Sequence, residues 1–189
     1  MEIQGCVFHW TQAVFRKAVK PGFKVHYHTF GAIHEYIRQF LALPFLTAEH
    51  IPAMFGALAD NATPPLQPLV DYIRTTWIDN PTWPVASWCI FCLAVRTNND
   101  VEGWHNRINS RGSNNINFYR LVELLHREAK LVTLQTQLVA QNKLSRAQRK
   151  VYKQVQAKLE KLWHRYRVKE ITTGHLLRAC SRIYAPTDA

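Results

Sequence analysis

The chain has 189 residues, of which 47% are hydrophobic and 20% are charged, so it can bury one sizeable core and has the charge content of a folded domain. The N-terminus has no basic segment followed by an apolar one, and the longest apolar run falls short of the roughly 20 residues that cross a bilayer. The four cysteines lack the density of a disulfide scaffold and are interpreted as reduced thiols. We therefore expect a soluble, intracellular protein without a membrane partner.

The first half of the sequence predicts helices that are separated by proline. Apolar residues recur three and four positions apart, and Pro or Pro-Gly pairs stand at the ends of each segment. The predicted helices cover residues 5–20, 29–43, 48–60 and 66–79. Thr47 is a suitable N-cap for the third of them. Residues 88–95 have the composition of a buried strand, but no further strands follow that would form a sheet with it.

Two long amphipathic segments dominate the second half. Residues 116–143 and 146–169 each keep their apolar residues near one stripe, and a short polar loop joins them. This pattern predicts an antiparallel helical pair, followed by a short closing helix that is capped at Thr172 or Thr173. The predicted fold is therefore all-α, with a compact helical cluster in residues 1–112 and a basic helical hairpin with its closing helix in residues 113–189.

The positive charge of the chain belongs entirely to its C-terminal half. The net charge is +11, while residues 1–95 contain six basic and six acidic residues. A basic helix side can follow a phosphate backbone, although a solvated helix face has the same composition. The residues predicted to contact DNA include the arginines around Glu102 and basic residues of the second long helix. They are Arg96, Arg107, Arg111, Arg146, Arg149, Lys150, Lys153, Lys161 and Arg165.

Cys6 and His9 are three residues apart on the first predicted helix, so their side chains share one face. Such a pair can bind zinc if two further ligands complete the site. Cys89 and Cys92 have a suitable spacing for this role, but buried cysteines usually behave as small apolar residues. Whether these four residues bind zinc stays open at this point.

Glu102 stands in the stretch RTNNDVEGWHNRIN, residues 96–109, with few other carboxylates nearby. Asn98 or Asn99 is a natural N-cap, which places Glu102 in the first turn of a helix, where the helix dipole favours an ionised carboxylate. An ionised carboxylate is a ligand that Mg²⁺ prefers, and His105 follows one turn later. A glutamate that only stabilises the helix start is the alternative, and the spacing alone favours it.

Residues 5–17, GCVFHWTQAVFRK, and the stretch 96–109, with helices between and after them, resemble the later part of the transposase domain of Mutator-like elements. The resemblance runs through nearly the whole chain. It implies that Cys6 and His9 are the family's Cys-x-x-His signature. It also implies that Glu102 is the third acid of a DDE catalytic core, in a motif that includes Asn98, Asn99 and His105.

The family's first two catalytic aspartates precede the Cys-x-x-His signature, and none of the five residues before Cys6 is an aspartate. Two-metal catalysis needs several carboxylates, so Glu102 is expected to bind Mg²⁺ or Mn²⁺ only when the other half of the core is supplied. We accordingly expect a truncated or domesticated transposase fragment in the nucleus. Alone it would lack the ribonuclease-H-like sheet, bind no cofactor, be catalytically inactive and bind DNA.

Two alternatives remain open. In the first, the chain is a helical interaction or oligomerisation module that acts through self-association or by pairing with a catalytic half. In the second, it is part of an active transposase whose upstream half is present.

Overall fold

A computed structural model of the chain describes residues 4–19, 31–97, 99–111, 116–141, 143 and 150–184. Throughout these ranges the fold is all-α, without a strand. The α-helices are α1 Val7–Val19, α2 Ala32–Leu41, α3 Ile51–Asp60, α4 Gln67–Ile73, α5 Val85–Trp88, α6 Asn99–Arg111, α7 Phe118–Ala140, α8 Lys150–Arg167 and α9 Thr173–Ile183. Helix α4 continues as one π-helical turn, Arg74–Ile78. None of the helices in the described ranges combines the length and the apolar character that a bilayer crossing requires.

The chain divides into two compact units. The core unit contains Met1–Thr97 and Val151–Ala189, and the middle unit contains Asn98–Lys150. This division differs from the predicted boundary at residue 112, because α8 packs into the core unit while α6 and α7 belong to the middle unit. Two helices that are neighbours in sequence therefore lie in different units. Pairing of α7 with α8 as a hairpin stays a prediction.

Helix α2 lies at the centre of the core unit. It packs against α1 and α9, and α1 also packs against α4. Ile37, Phe40 and Leu41 of α2 are fully buried, which agrees with the apolar spacing of three and four residues that predicts this helix. The apolar sides of the core-unit helices α1, α2, α4 and α9 therefore face one shared core, as their sequence patterns predict.

The segment before α1 is held against residues 87–96. The backbone N–H of Gly5 donates to the carbonyl oxygen of Ser87, and the N–H of Val7 donates to that of Arg96 over 2.9 Å. A Cβ on Gly5 would lie 2.9 Å from the Cβ of Trp88, closer than real Cβ contacts. Glycine is therefore required here by the close approach of the two backbone segments.

Three tryptophans pack around the start of α1. The rings of Trp10 and Trp88 are stacked, with centroids 4.6 Å apart, and Trp77 meets Trp10 edge-on at 5.0 Å. The indole N–H of Trp10 donates to the carbonyl oxygen of Leu41 over 3.2 Å. These contacts fix α1 to α2 and to the segment that follows α4, so these three tryptophans are part of the core or pack against it.

Both ends of α9 are capped. Thr172 accepts a hydrogen bond from the backbone N–H of His175, so the predicted cap is confirmed and is Thr172 rather than Thr173. At the other end, the guanidinium group of Arg38 donates to the carbonyl oxygens of Ser181 and Arg182, over 2.8 and 3.0 Å. A cation at a helix C-terminus satisfies free carbonyl groups and complements the helix dipole. Helix α9 is thereby tied to α2.

The middle unit contains α6 and α7, linked by an ion pair. The guanidinium of Arg107 donates to the carboxylate of Glu128 through Nη2 at 2.7 Å and through Nε at 3.2 Å. The side chain of Glu128 is only 2% exposed, whereas that of Arg107 is 41% exposed. Asn117 caps the start of α7 by accepting from the N–H of Tyr119.

Candidate nucleic-acid interface

Helix α8 has a buried apolar side and an exposed basic side. Leu159 and Trp163 are fully buried in the core unit, and the indole N–H of Trp163 donates to the carbonyl oxygen of Phe45 over 2.9 Å. Lys161 lies two residues from each of them, about 200° round the helix axis, and therefore points to solvent. The exposed basic residues of this helix form the α8 basic face, which consists of Lys153, Lys158, Lys161, His164, Arg165 and Arg167.

Few acidic side chains interrupt the α8 basic face. Glu160 accepts a hydrogen bond from the side-chain amide of Gln156 at 2.7 Å. Arg165 forms an ion pair of 3.0 Å with Glu170, and both side chains are about half exposed. Exposed pairs of this kind contribute at most about 1 kcal/mol, so a stronger anion can displace Glu170 from Arg165. The face thus carries a large excess of positive charge.

Sequence reasoning missed a second group of exposed basic residues, on α9. His175, Arg178 and Arg182 lie three or four residues apart and are all exposed, while Leu176 and Leu177 on the other side are buried. The signal was available, because the same apolar periodicity that predicts α9 places these three residues on its outer side. The core unit therefore presents basic residues from two of its helices.

Several predicted DNA contacts are not placed. Arg146 and Arg149 lie outside the described residues, and the same holds for the side chains of Arg111 and Lys150. Asn98 also lies outside them, as does the side chain of Asn99. Of the predicted residues on α8, Lys153, Lys161 and Arg165 are described, and all three are exposed.

Arg96 points into the core unit. Its guanidinium lies 5.9 Å from the centre of the Phe45 ring, and its Nη1 is buried without a hydrogen-bond partner. Burial lowers the pKa of Arg96, and the nearby Tyr184 and Cys180 act in the opposite direction. This position favours a structural role over the predicted phosphate contact.

Arg107 is held by the Glu128 carboxylate, as described above. Two of its five N–H groups donate to one oxygen, Oε2 of Glu128, and the charge of Glu128 offsets that of the guanidinium. Arg107 is therefore less suited to phosphate binding than the exposed lysines of α8.

Glu102 lies in the first turn of α6, where the sequence predicts it. Its side chain is half-buried. His105 is exposed, and its ring lies 5.2 Å from that of Trp104. Nowhere in the described ranges do three or more His, Cys, Asp or Glu side chains gather closely enough to hold a metal ion.

The structure describes Cys6, His9, Cys89 and Cys92. No group of three or more metal ligands forms among them. The Cys89 thiol donates to the carbonyl oxygen of Leu46 over 3.1 Å, and burial raises its pKa. Burial also raises the pKa of Cys92, although Arg167 opposes this effect. Cys89, Cys92 and Cys180 are free thiols. Raised pKa values disfavour the thiolate, which is the form that binds zinc.

Comparisons of the chain with protein-family models, with curated proteins and with solved structures give no match.

Proposed function

We propose that this chain is a nucleic-acid-binding helical part of a Mutator-like transposase, and that the α8 basic face contacts the DNA backbone. The observation that carries the proposal is the anchoring of α8. Leu159 and Trp163 are buried on one side, and the lysine and arginine side chains project from the other. A basic helix that is fixed in this way offers its charges to a polyanion without first having to fold.

The dimensions of the face suit a duplex. From Lys153 to Arg165 the helix extends about 18 Å, which is about half of one DNA turn. Contacts of this kind neutralise phosphates and release condensed counterions, so the affinity is independent of sequence and falls as salt is added. Exposed lysine side chains on a helix do not read base edges by themselves, so the proposed role is to position the DNA backbone.

The resemblance to Mutator-like transposases supports DNA as the polyanion and the nucleus as the location. Catalysis by a DDE core requires further carboxylates near Glu102 to bind two divalent cations. We therefore propose that this chain binds DNA but does not cut it unless those carboxylates come from outside the chain.

The test is fluorescence anisotropy with a labelled duplex over a series of salt concentrations. The binding constant is expected to fall steeply as salt rises. The double variant Lys153→Gln/Lys161→Gln is expected to bind several-fold more weakly, and the slope of log K against log salt should decrease by about 2.

The matched control removes the same charge from the middle unit. Arg120→Gln/Lys130→Gln changes two exposed basic residues of α7 and should leave the slope close to that of the unaltered chain. Equal losses in the two double variants would show that only net charge matters. The assignment to α8 would then be wrong, and an unaltered chain that binds no duplex would overturn the proposal itself.

Glu102 provides a separate test of catalysis. The variant Glu102→Gln should bind duplex DNA with unchanged affinity, because the proposed contact lies on α8. Incubation of the unaltered chain with Mg²⁺ or Mn²⁺ should produce no nicked or joined DNA. A product that appears with the unaltered chain and is lost in Glu102→Gln would contradict the proposal that external carboxylates are needed.

A further inference from the structure

Helix α7 carries an apolar stripe that is exposed in the described structure. The stripe follows the alternating spacing of four and three residues that is typical of coiled coils. We call it the α7 stripe, and it consists of Phe118, Val122, Leu125, Ala129, Val132, Thr136 and Val139. Every one of these residues is exposed, with Phe118 at 70% and Val132 at 52%.

The neighbouring side of α7 is less accessible. Glu128 is buried in its ion pair with Arg107, and Leu121, Leu124 and Leu138 are half-buried. The side of α7 that contains Glu128 is therefore already in contact with α6, and the stripe lies on the adjacent, exposed side. A helix that packs on only one of its sides keeps a second surface for another partner.

The sequence predicts that α8 pairs with α7, but the apolar side of α8 packs into the core unit. Helix α8 places Leu159 and Trp163 in the core unit, at 0% and 2% exposure. Because one apolar side cannot pack in two places, these residues are not free to cover α7.

The charges around the stripe permit a second copy of the same helix. The stripe itself contains no charged residue, and its flanking positions are Tyr119, Leu121, His126, Glu128, Thr133 and Gln135. Among these, Glu128 is the one carboxylate, and Arg107 neutralises it. Although the chain has a net charge of +11, two copies of this surface therefore meet without strong repulsion. A nucleic acid would find no cations along the stripe.

The area is sufficient for a reversible dimer. The stripe exposes roughly 350 Å² of apolar side chain, taking about 200 Å² for an aromatic and about 100 Å² for an aliphatic side chain. Two copies would bury about 700 Å² before flanking side chains are added, which is less than the roughly 1,200–2,000 Å² of stable interfaces and corresponds to a weak, transient contact. Such a contact is expected to form at high protein concentration and to dissociate on dilution.

We propose that the α7 stripe is a self-association surface, and that two copies of this chain pair through it as a short coiled coil. The stripe begins with the first residue of α7 and ends one residue before its last, so the contact extends over the whole helix. This inference concerns the middle unit and does not depend on DNA binding by α8.

The test is sedimentation velocity of the full chain over a hundredfold range of concentration, at high salt and after nuclease treatment. The unaltered chain is expected to sediment as a dimer at the highest concentration and as a monomer after dilution. The variant Leu125→Lys, in the stripe, should remain a monomer at every concentration.

The matched control is Leu134→Lys, which adds the same charge to the same helix. Leu134 is 51% exposed, compared with 41% for Leu125, but it lies about 180° away round the axis. This variant should still dimerise, and circular dichroism should show equal helix content in both variants. A monomeric unaltered chain, or equal loss of association in the two variants, would overturn the proposal, as would association that disappears at high salt.

Discussion

The indole N–H of Trp163 donates a hydrogen bond to the backbone carbonyl oxygen of Phe45, although 118 residues separate them in the sequence. Both side chains are buried, and the Phe91 ring packs against that of Trp163 with centroids 5.7 Å apart. This contact fixes α8 to the core unit and leaves its basic side in solvent. The orientation of the proposed DNA-binding face therefore depends on one buried aromatic residue.

Replacement of Trp163 should destabilise the core unit. Trp163→Ala is expected to lower the free energy of unfolding by about 3–5 kcal/mol, because it leaves a cavity in the core. Trp163→Phe fills most of this space but leaves the Phe45 carbonyl without its donor, which costs about 1–3 kcal/mol. Urea denaturation followed by circular dichroism measures both changes. The control is Trp83→Ala at a residue that is 44% exposed, and a similar loss there would show that Trp163 has no special role.

Lys169 should be replaceable by glycine with a gain in stability. It follows α8 with a φ of 61°, and hydrogen bonds from Lys169 N to Tyr166 O and from Glu170 N to Arg165 O close the helix as a Schellman motif. Glycine adopts this conformation without a Cβ penalty, so Lys169→Gly is expected to raise the free energy of unfolding by about 0.5–1 kcal/mol. Thermal denaturation measures the change. Lys169→Ala removes the same charge and should give no gain, so equal stabilisation by both would exclude the backbone explanation.

The Arg107–Glu128 pair should stabilise the middle unit. Glu128→Gln keeps the shape of the side chain but removes the charge, and we expect a loss of about 1–3 kcal/mol, because Arg107 is partly exposed and keeps some of its hydration. Amide hydrogen exchange should be faster in α6 and α7 and unchanged in the core unit. Glu123→Gln breaks an exposed pair with Arg127 and should have almost no effect. Unchanged exchange in Glu128→Gln would show that the pair is not stabilising.

Alkaline pH should destabilise the core unit through Cys180. Burial raises the pKa of this thiol from 9.0 to about 12, so above about pH 9 the unfolded chain loses a proton that the folded chain keeps. The free energy of unfolding should therefore be unaffected by this group below pH 9 and fall by up to about 1.4 kcal/mol per pH unit between 9 and 12.

Cys180→Ala isolates this effect. Burial also raises the pKa values of Tyr36 and Tyr184, so the unaltered chain and the variant should both lose stability at high pH. The loss should be smaller in the variant. Urea denaturation at several pH values compares the two, and identical pH dependence would show that Cys180 does not contribute.

Local sequence signals located most helices correctly. The segment 29–43 contains α2, and the segment 66–79 contains α4 with its π-helical turn. One detail was wrong. Helix α3 begins at Ile51 rather than next to Thr47, whose hydroxyl instead lies 2.7 Å from His50 Nδ1, because Pro52 favours the first helical turn. Residues 88–95 have the composition of a buried strand but form none, in agreement with the all-α prediction. The backbone N–H of Ile90 donates to the carbonyl oxygen of Pro44 without a ladder of further bonds.

The sequence by itself determined that the chain is helical, where its apolar stripes lie and which helix sides are basic, because these properties depend on residue spacing within one helix. Only the tertiary structure decided which stripe is buried and what each charge contacts. It placed α8 in the core unit, left the α7 stripe exposed, turned Arg96 inward and paired Arg107 with Glu128. The physical reason is that burial and ion pairing depend on residues that are distant in sequence, and spacing along one helix carries no information about them.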